Sequence, residues 1–137
     1  MILDSSVLVA ILRGEPEASS FAAIIQRIPE RRISAVNYVE AAVVSDKSRD
    51  PIARHRFDEL VQEIDLMIEA VTPEQAYIAR QAYRDFGKGS GHPARLNLGD
   101  CFAYALAKET GEPLLFKGDE FSCTDVHCAV ISNDDRS

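Results

Sequence analysis

Short apolar segments alternate with helix-period stretches along this chain, and that alternation restricts the fold more than any other feature. Met1-Ile-Leu3, Arg32-Ile-Ser-Ala35, Leu66 to Val71, Pro113-Leu-Leu-Phe-Lys117 and Ala129-Val-Ile131 are strand-like by length and aliphatic content. Between them lie stretches whose apolar residues recur at helical spacing. Strands separated by helices predict an α/β fold, a parallel sheet with helices on both faces. Such sheets bind ligands just outside the carboxyl ends of their strands.

Helix boundaries follow from capping chemistry. Ser5 or Ser6 caps a helix from Val7 to Arg13, which Gly14 stops. Glu15-Pro16-Glu17 opens a second, with Phe21, Ile24, Ile25 and Ile28 as its stripe and Pro29 at its end. Ser34 or Asn37 caps a third helix through Val44, whose Val36, Val39, Val43 and Val44 are expected to face the core, with Glu40 on or beside that stripe. Asp50-Pro51 starts a fourth, with Ile52, Phe57, Leu60, Val61 and Ile64 as its apolar face. Thr72-Pro73-Glu74-Gln75 starts a fifth, running to about Phe86. A sixth spans Leu98 to Thr110 and stops at Gly111. The Gly-rich run Gly87 to Pro93 lacks the ending of a nucleotide-binding loop and is expected to be a flexible connection near the site.

At 137 residues the chain is expected to form one domain, residues 1–131, with a polar tail at 132–137. No segment reaches the apolar length of a membrane span, and the N-terminus lacks a secretory pattern, so the expected location is cytoplasmic, away from membranes. Three cysteines without close pairing fit a reducing compartment. Cys123, His127 and Cys128 match no usual zinc spacing, so the cysteines are expected to be buried small apolar residues. The net charge of −7 argues against affinity built on a basic coat, but it does not exclude a nuclease whose acids are clustered and metal-loaded.

Four acids stand at the edges of apolar segments: Asp4, Glu40, Asp100 and Asp119. Three of them have ready ordinary explanations. Asp4 and Asp119 suit turns, and Asp100 suits the first turn of a helix. Glu40 resists one, because a lone carboxylate on an inward helix face is costly to desolvate. Together the four form an oxygen donor set for a hard divalent cation, Mg²⁺ or Mn²⁺. A haloacid-dehalogenase-like phosphatase would share Asp4 and the Gly118-Asp119 pair, but it needs a second Asp where Ser6 stands.

Four segments in order carry a family resemblance: Met1-Ile-Leu-Asp4-Ser-Ser, Ile33 to Glu40, Leu96-Asn-Leu-Gly-Asp100-Cys-Phe-Ala, and Leu114-Leu-Phe-Lys-Gly-Asp119-Glu-Phe. The chain resembles PIN-domain ribonucleases, in particular the VapC toxins of type II toxin–antitoxin pairs. The resemblance implies an α/β/α sandwich with a short, mostly parallel sheet of four to five strands. It also implies an Mg²⁺-dependent endoribonuclease, with Mn²⁺ as substitute. By motif match Asp4, Glu40, Asp100 and Asp119 form the metal site, Asp4 and Asp100 foremost as direct ligands. Ser6 would steady Asp4, with Asn97 and Lys117 on the substrate side, while Glu120, where many relatives carry Asp, takes no ligand role. RNA would be cut by a metal-activated water, leaving 5′-phosphate and 3′-hydroxyl ends. A cognate VapB-like antitoxin and a homodimer complete the implied partners. Arg13, Arg49, Arg54, Arg56, Arg84, Lys88 and Arg95 are candidate phosphate contacts, though any given one is more readily a solvated helix face. A catalytically silent PIN-like binding module is the competing function, disfavoured because such a module has no need of all four acids.

Overall fold

The computed structural model describes residues 1–129. Four short strands, β1 (Ile2–Leu3), β2 (Arg32–Ser34), β3 (Met67–Glu69) and β4 (Leu114–Leu115), form one sheet in the order β3-β2-β1-β4. Every pairing is parallel, with Ile2 opposite both Arg32 and Leu114, and Leu3 opposite Leu115. Side chains alternate across the sheet. Ile2 and Leu114 join one buried cluster, while Leu3, Ile33 and Leu115 join the other. The expected fifth strand is represented by a single parallel bridge between Leu114 and Cys128. Its remaining residues, Val130 and Ile131, and the expected tail lie outside the described residues.

Six helices cover the two faces: α1 (Ser5–Arg13), α2 (Ala18–Arg27), α3 (Ala35–Asp46), α4 (Pro51–Glu63), α5 (Pro73–Phe86) and α6 (Leu98–Thr110). Residues of α5 and α6 pack on the face bearing Ile2 and Leu114. Residues of α1 to α4 pack on the face bearing Leu3 and Ile33. The result is an α/β/α sandwich. Because β1 and β4 are parallel neighbours, the segments leaving their carboxyl ends lie side by side at one end of the sheet. The Asp4 N–H donates to Leu115 O at 3.0 Å, and the Lys117 N–H to Ser6 Oγ at 3.0 Å.

Several local expectations are revised. Asp4, and neither Ser5 nor Ser6, caps α1, accepting the Ser6 N–H at 3.1 Å. Ser34 caps α3 through the Val36 N–H. The second helix starts at Ala18, after the Glu15-Pro16-Glu17 segment. The valine stripe of α3 does not face the core: Val39, Val43 and Val44 are exposed, and Asn37, Ala41 and Ser45 are buried instead. Small residues at i, i+4 and i+8 bring the α3 backbone close to its neighbours, and the inward hydrogen bonds of Asn37 fix that phase. Ile52 likewise leaves the apolar face of α4 for solvent, whereas Phe57 is buried. Of the cysteines expected to be buried, Cys101 is, but Cys123 is exposed at the end of a 3-10 turn and Cys128 is half-buried. No helix among the described residues is long and apolar enough to cross a membrane.

Candidate functional site

Asp4 stands where β1 ends and α1 begins. It is 3% exposed, and its Oδ1 is buried without a hydrogen-bond partner. Burial pushes its carboxyl above the usual carboxylate range, against the opposing pull of the Ser6 hydroxyl and the Ser6 and Ser5 N–H groups; the Glu120 charge pushes the same way as burial. An orphaned, buried carboxylate oxygen at the mouth of a parallel sheet is a group prepared for a cation.

Glu40 approaches from α3, one turn after Asn37. The Asn37 amide donates to Glu40 Oε1 at 2.8 Å and to Gly99 O at 3.0 Å, so one buried side chain ties α3 to the start of α6. The Ser5 hydroxyl adds a longer bond to the same Oε1, 3.5 Å. Gly99 is required for this approach, since a Cβ there would land on the Glu40 carboxylate. Desolvation raises the Glu40 carboxyl, the Asn37 bond lowers it, and the Asp4 charge raises it.

Asp100 lies in the first turn of α6, inside a capping box. Asn97 Oδ1 accepts the Asp100 N–H at 2.8 Å, and Asp100 Oδ2 accepts the Asn97 N–H at 2.9 Å. The structural explanation for this acid therefore holds, and it leaves the other oxygen available. Burial raises the Asp100 carboxyl to about 6, with the Asn97 bond opposing and the charges of Asp4, Glu120 and Glu40 adding to the rise. Asp4, Glu40 and Asp100 are thus brought within electrostatic reach of one another.

Asp119 sits at the head of a 3-10 turn, Glu120–Cys123, exposed and making no capping bond with its side chain. The charge of its neighbour Glu120, by contrast, is among the influences on both Asp4 and Asp100. Lys117 is turned away from the acids, its ammonium paired with Glu15 and, at 3.2 Å, with Glu17. Sequence reasoning missed Asn37 as a positioning group, although its placement one turn before Glu40 was the signal. Nothing in the sequence alone separates Glu120 from Asp119.

The basic candidates divide by location. Arg13 and Arg56, with Lys47, surround a pocket of about 370 Å³ built on α1, α3 and α4. Lys88 and Arg95 line a cleft of about 550 Å³ that also includes Asp119 and Glu120. Arg49, Arg54 and Arg84 line neither.

An all-oxygen donor set with one orphaned buried oxygen fits Mg²⁺ or Mn²⁺. Among the described residues no three His, Cys, Asp or Glu side chains are arranged to hold an ion by themselves. Waters or substrate oxygens would therefore complete the shell, as Mg²⁺ commonly requires.

Comparison with known proteins agrees with this fold. The PIN domain pattern matches residues 1–126. Ribonuclease VapC28 of Mycobacterium tuberculosis is 48% identical over 130 residues, covering 95% of this chain and 98% of that protein. Among solved structures, Mycobacterium tuberculosis VapC20, described as a toxin that cleaves the Sarcin-Ricin loop, superposes with a TM-score of 0.70 at 14% identity, covering 91% of this chain and 95% of that one. VapBC2 from Rickettsia felis, bound to a DNA fragment from its promoter, gives 0.71 at 12% identity over 93% and 94%.

Proposed function

The chain belongs to the PIN-domain family and, within it, to the VapC ribonucleases, and from that premise we propose that the carboxylate cluster cuts RNA with the help of Mg²⁺ or Mn²⁺, as the toxin of a toxin–antitoxin pair. The observation that carries this is the meeting of Asp4, Glu40 and Asp100 with no cationic side chain among the groups acting on them. Three acids so placed repel one another, and a divalent cation is the simplest remedy.

Asp4 and Asp100 are the direct ligands in this reading, each with one oxygen engaged by backbone N–H groups and the other open. Asn37 holds Glu40 by Oε1 and leaves Oε2 to the cation. The Ser6 hydroxyl, accepting the Lys117 N–H, locks the turn that carries Asp4. Asn97 acts through its cap on Asp100. Asp119 completes the motif set from the rim, and Lys117, held by Glu15 and Glu17, serves there as a structural strut. The bound cation would neutralise charge on the scissile phosphate and lower the pKa of an attacking water. In-line displacement of the 3′-oxygen leaves 5′-phosphate and 3′-hydroxyl ends. Single-stranded or looped RNA is the substrate, since its backbone can enter an acidic groove.

A VapB-like antitoxin would inhibit by presenting an arginine to the same acids, a bidentate match for carboxylates. The −7 net charge suits such a basic segment. The test is cleavage of RNA with Mg²⁺ or Mn²⁺, with EDTA, and by Asp4→Asn and Asp100→Asn. Loss of at least about 100-fold in each variant is expected, the scale of removing one preorganised electrostatic group. Equal cleavage by all three proteins would overturn the assignment, and cyclic phosphate ends would overturn the attack by water.

A further inference from the structure

Beside the acids, the cleft of about 550 Å³ has two walls of opposite charge. Asp119 and Glu120 form one, and Glu120 carries it into the cluster through its effect on Asp4 and Asp100. Lys88 and Arg95 form the other, both exposed. Neither side chain has a hydrogen bond or ion pair with any described residue. Lys117, paired with Glu15 and Glu17, Arg32, paired with Glu30 at 2.8 Å, and Lys108, paired with Asp125 at 3.0 Å, are by contrast engaged within the chain.

The basic wall is also built firmly. Lys88 N donates to Leu96 O and Leu96 N to Phe86 O, both at 2.9 Å, so the two ends of the Gly-rich loop are pinned together. Ala94 and Leu96 are buried at 1% and 0% exposure, and Arg95 is thrust out between them. Its φ of 51° lies in the left-handed region, a costly conformation for a residue with a side chain. His92 Nδ1 accepts the Ala94 N–H at 3.1 Å, and its ring meets Phe86 edge-on. Such a frame fixes where the Arg95 side chain leaves the backbone, so its charge stands at a set place on the cleft wall.

A polynucleotide needs what this cleft offers. The acids with their cation can deal with only one phosphate, while the next phosphate along the strand would meet Glu120 and Asp119 unless fixed cations faced it. We propose that Lys88 and Arg95 form a subsite for the phosphate adjoining the scissile one in single-stranded RNA, setting the register of the strand over the acids. This rests on the ribonuclease reading and adds to it a second, metal-independent point of contact.

The test compares wild type with Lys88→Gln/Arg95→Gln, with Arg95→Gly, and with Arg80→Gln as a charge control on α5 outside the cleft. Arg95→Gly suits the left-handed backbone and removes the cation without threatening the fold. Binding of a labelled single-stranded RNA is followed in EDTA across a salt series, and cleavage in Mg²⁺ gives kcat and KM. Each lost phosphate contact should flatten the salt dependence by about 0.7 in the log–log slope. A change of about 0.7 to 1.4 is expected for the double variant, according to whether the two cations share one phosphate. KM should rise with kcat kept, and Arg80→Gln should leave both where they were. A wild type that cuts RNA beside a double variant with unchanged slope and KM overturns the subsite alone. Unchanged RNA behaviour with lost inhibition by a protein partner gives the cleft to that partner and also overturns it. Wild-type protein that neither binds nor cuts RNA removes the ribonuclease reading and the subsite together.

Discussion

Two neighbours of Glu40, Asn37 and Gly99, decide where its carboxylate can be, and they do so by opposite means. Asn37 holds it with a 2.8 Å hydrogen bond, and Gly99 makes room for it by having no Cβ. Asn37→Ala removes that bond and the second one, to Gly99 O, that ties α3 to the start of α6. Losing the pair should cost about 1–3 kcal/mol of stability. Loss of a group that orients a metal ligand should weaken Mn²⁺ binding by about 10- to 100-fold, readable by calorimetry. Gly99→Ala separates the two effects. The group it would strike is the far end of a flexible side chain, so thermal stability should stay within a few degrees of wild type while RNA cleavage falls. A variant with full activity would show that Glu40 can work from another position. Glu40 was singled out in the sequence as an acid beside an inward valine stripe, yet the stripe faces solvent, and what places its carboxylate near Asp4 is its position one turn after the buried Asn37. Asn37 was not singled out, because the same residue type one turn earlier reads equally well as a cap. Glu120 was hidden for another reason: adjacent acids in a turn differ only in the direction the turn gives them.

Helix ends and helix phases were not equally legible. Caps are local chemistry, so Thr72 and Asp50 mark starts that the structure reproduces, and α6 falls on Leu98–Thr110 as expected, with Asn97, named only as a substrate-side group, as its cap. Phase is a tertiary property. α3 carries four valines, yet Asn37, Ala41 and Ser45 take the buried side because close packing of backbones and two hydrogen bonds outweigh the burial of a few methyl groups. Val36, Val39, Val43 and Val44 consequently form an apolar strip beside Glu40, with the last three 54%, 41% and 38% exposed. The homodimer implied by family resemblance would have in this strip a surface worth covering. A Val39→Lys/Val43→Lys double variant should then run as a monomer where wild type runs as a dimer, by light scattering on a sizing column. The fold should survive, since both side chains already meet solvent. A variant that still dimerises would place the seam on another face.

For the whole molecule, the acids make stability, pH and metal one linked problem. Asp4, Glu40 and Asp100 are all held above their ordinary pKa, chiefly by desolvation, and Asp100 moves from 3.8 to about 6. A carboxyl with a raised folded-state pKa binds more protons in the native chain than in the unfolded one. Its stabilising contribution is complete below the unfolded pKa and is lost as pH climbs through the folded one. For Asp100 that window runs from about 4 to about 6, and Asp4 and Glu40 act in the same direction. Asp125 opposes them: its carboxyl is lowered, mainly by the Tyr104 hydroxyl, so its contribution is lost as pH falls below the usual carboxylate range. Metal-free protein should therefore lose thermal stability between about pH 4 and pH 7, by a free energy on the order of 1–3 kcal/mol for Asp100 alone. Asp100→Asn should flatten that decline, because an amide keeps the acceptor for the Asn97 N–H and carries no charge. Mg²⁺ should act in the opposite sense. It binds the ionised cluster, so its rise in Tm should be larger at pH 7.5 than at pH 5 and should nearly vanish in the Asp100→Asn protein. Melting curves in EDTA and in Mg²⁺ across that range decide the matter. A wild type whose metal-free stability rises steadily from pH 4 to 7, in parallel with Asp100→Asn, would mean that the three carboxyls are not the coupled, desolvated group from which the metal requirement is argued.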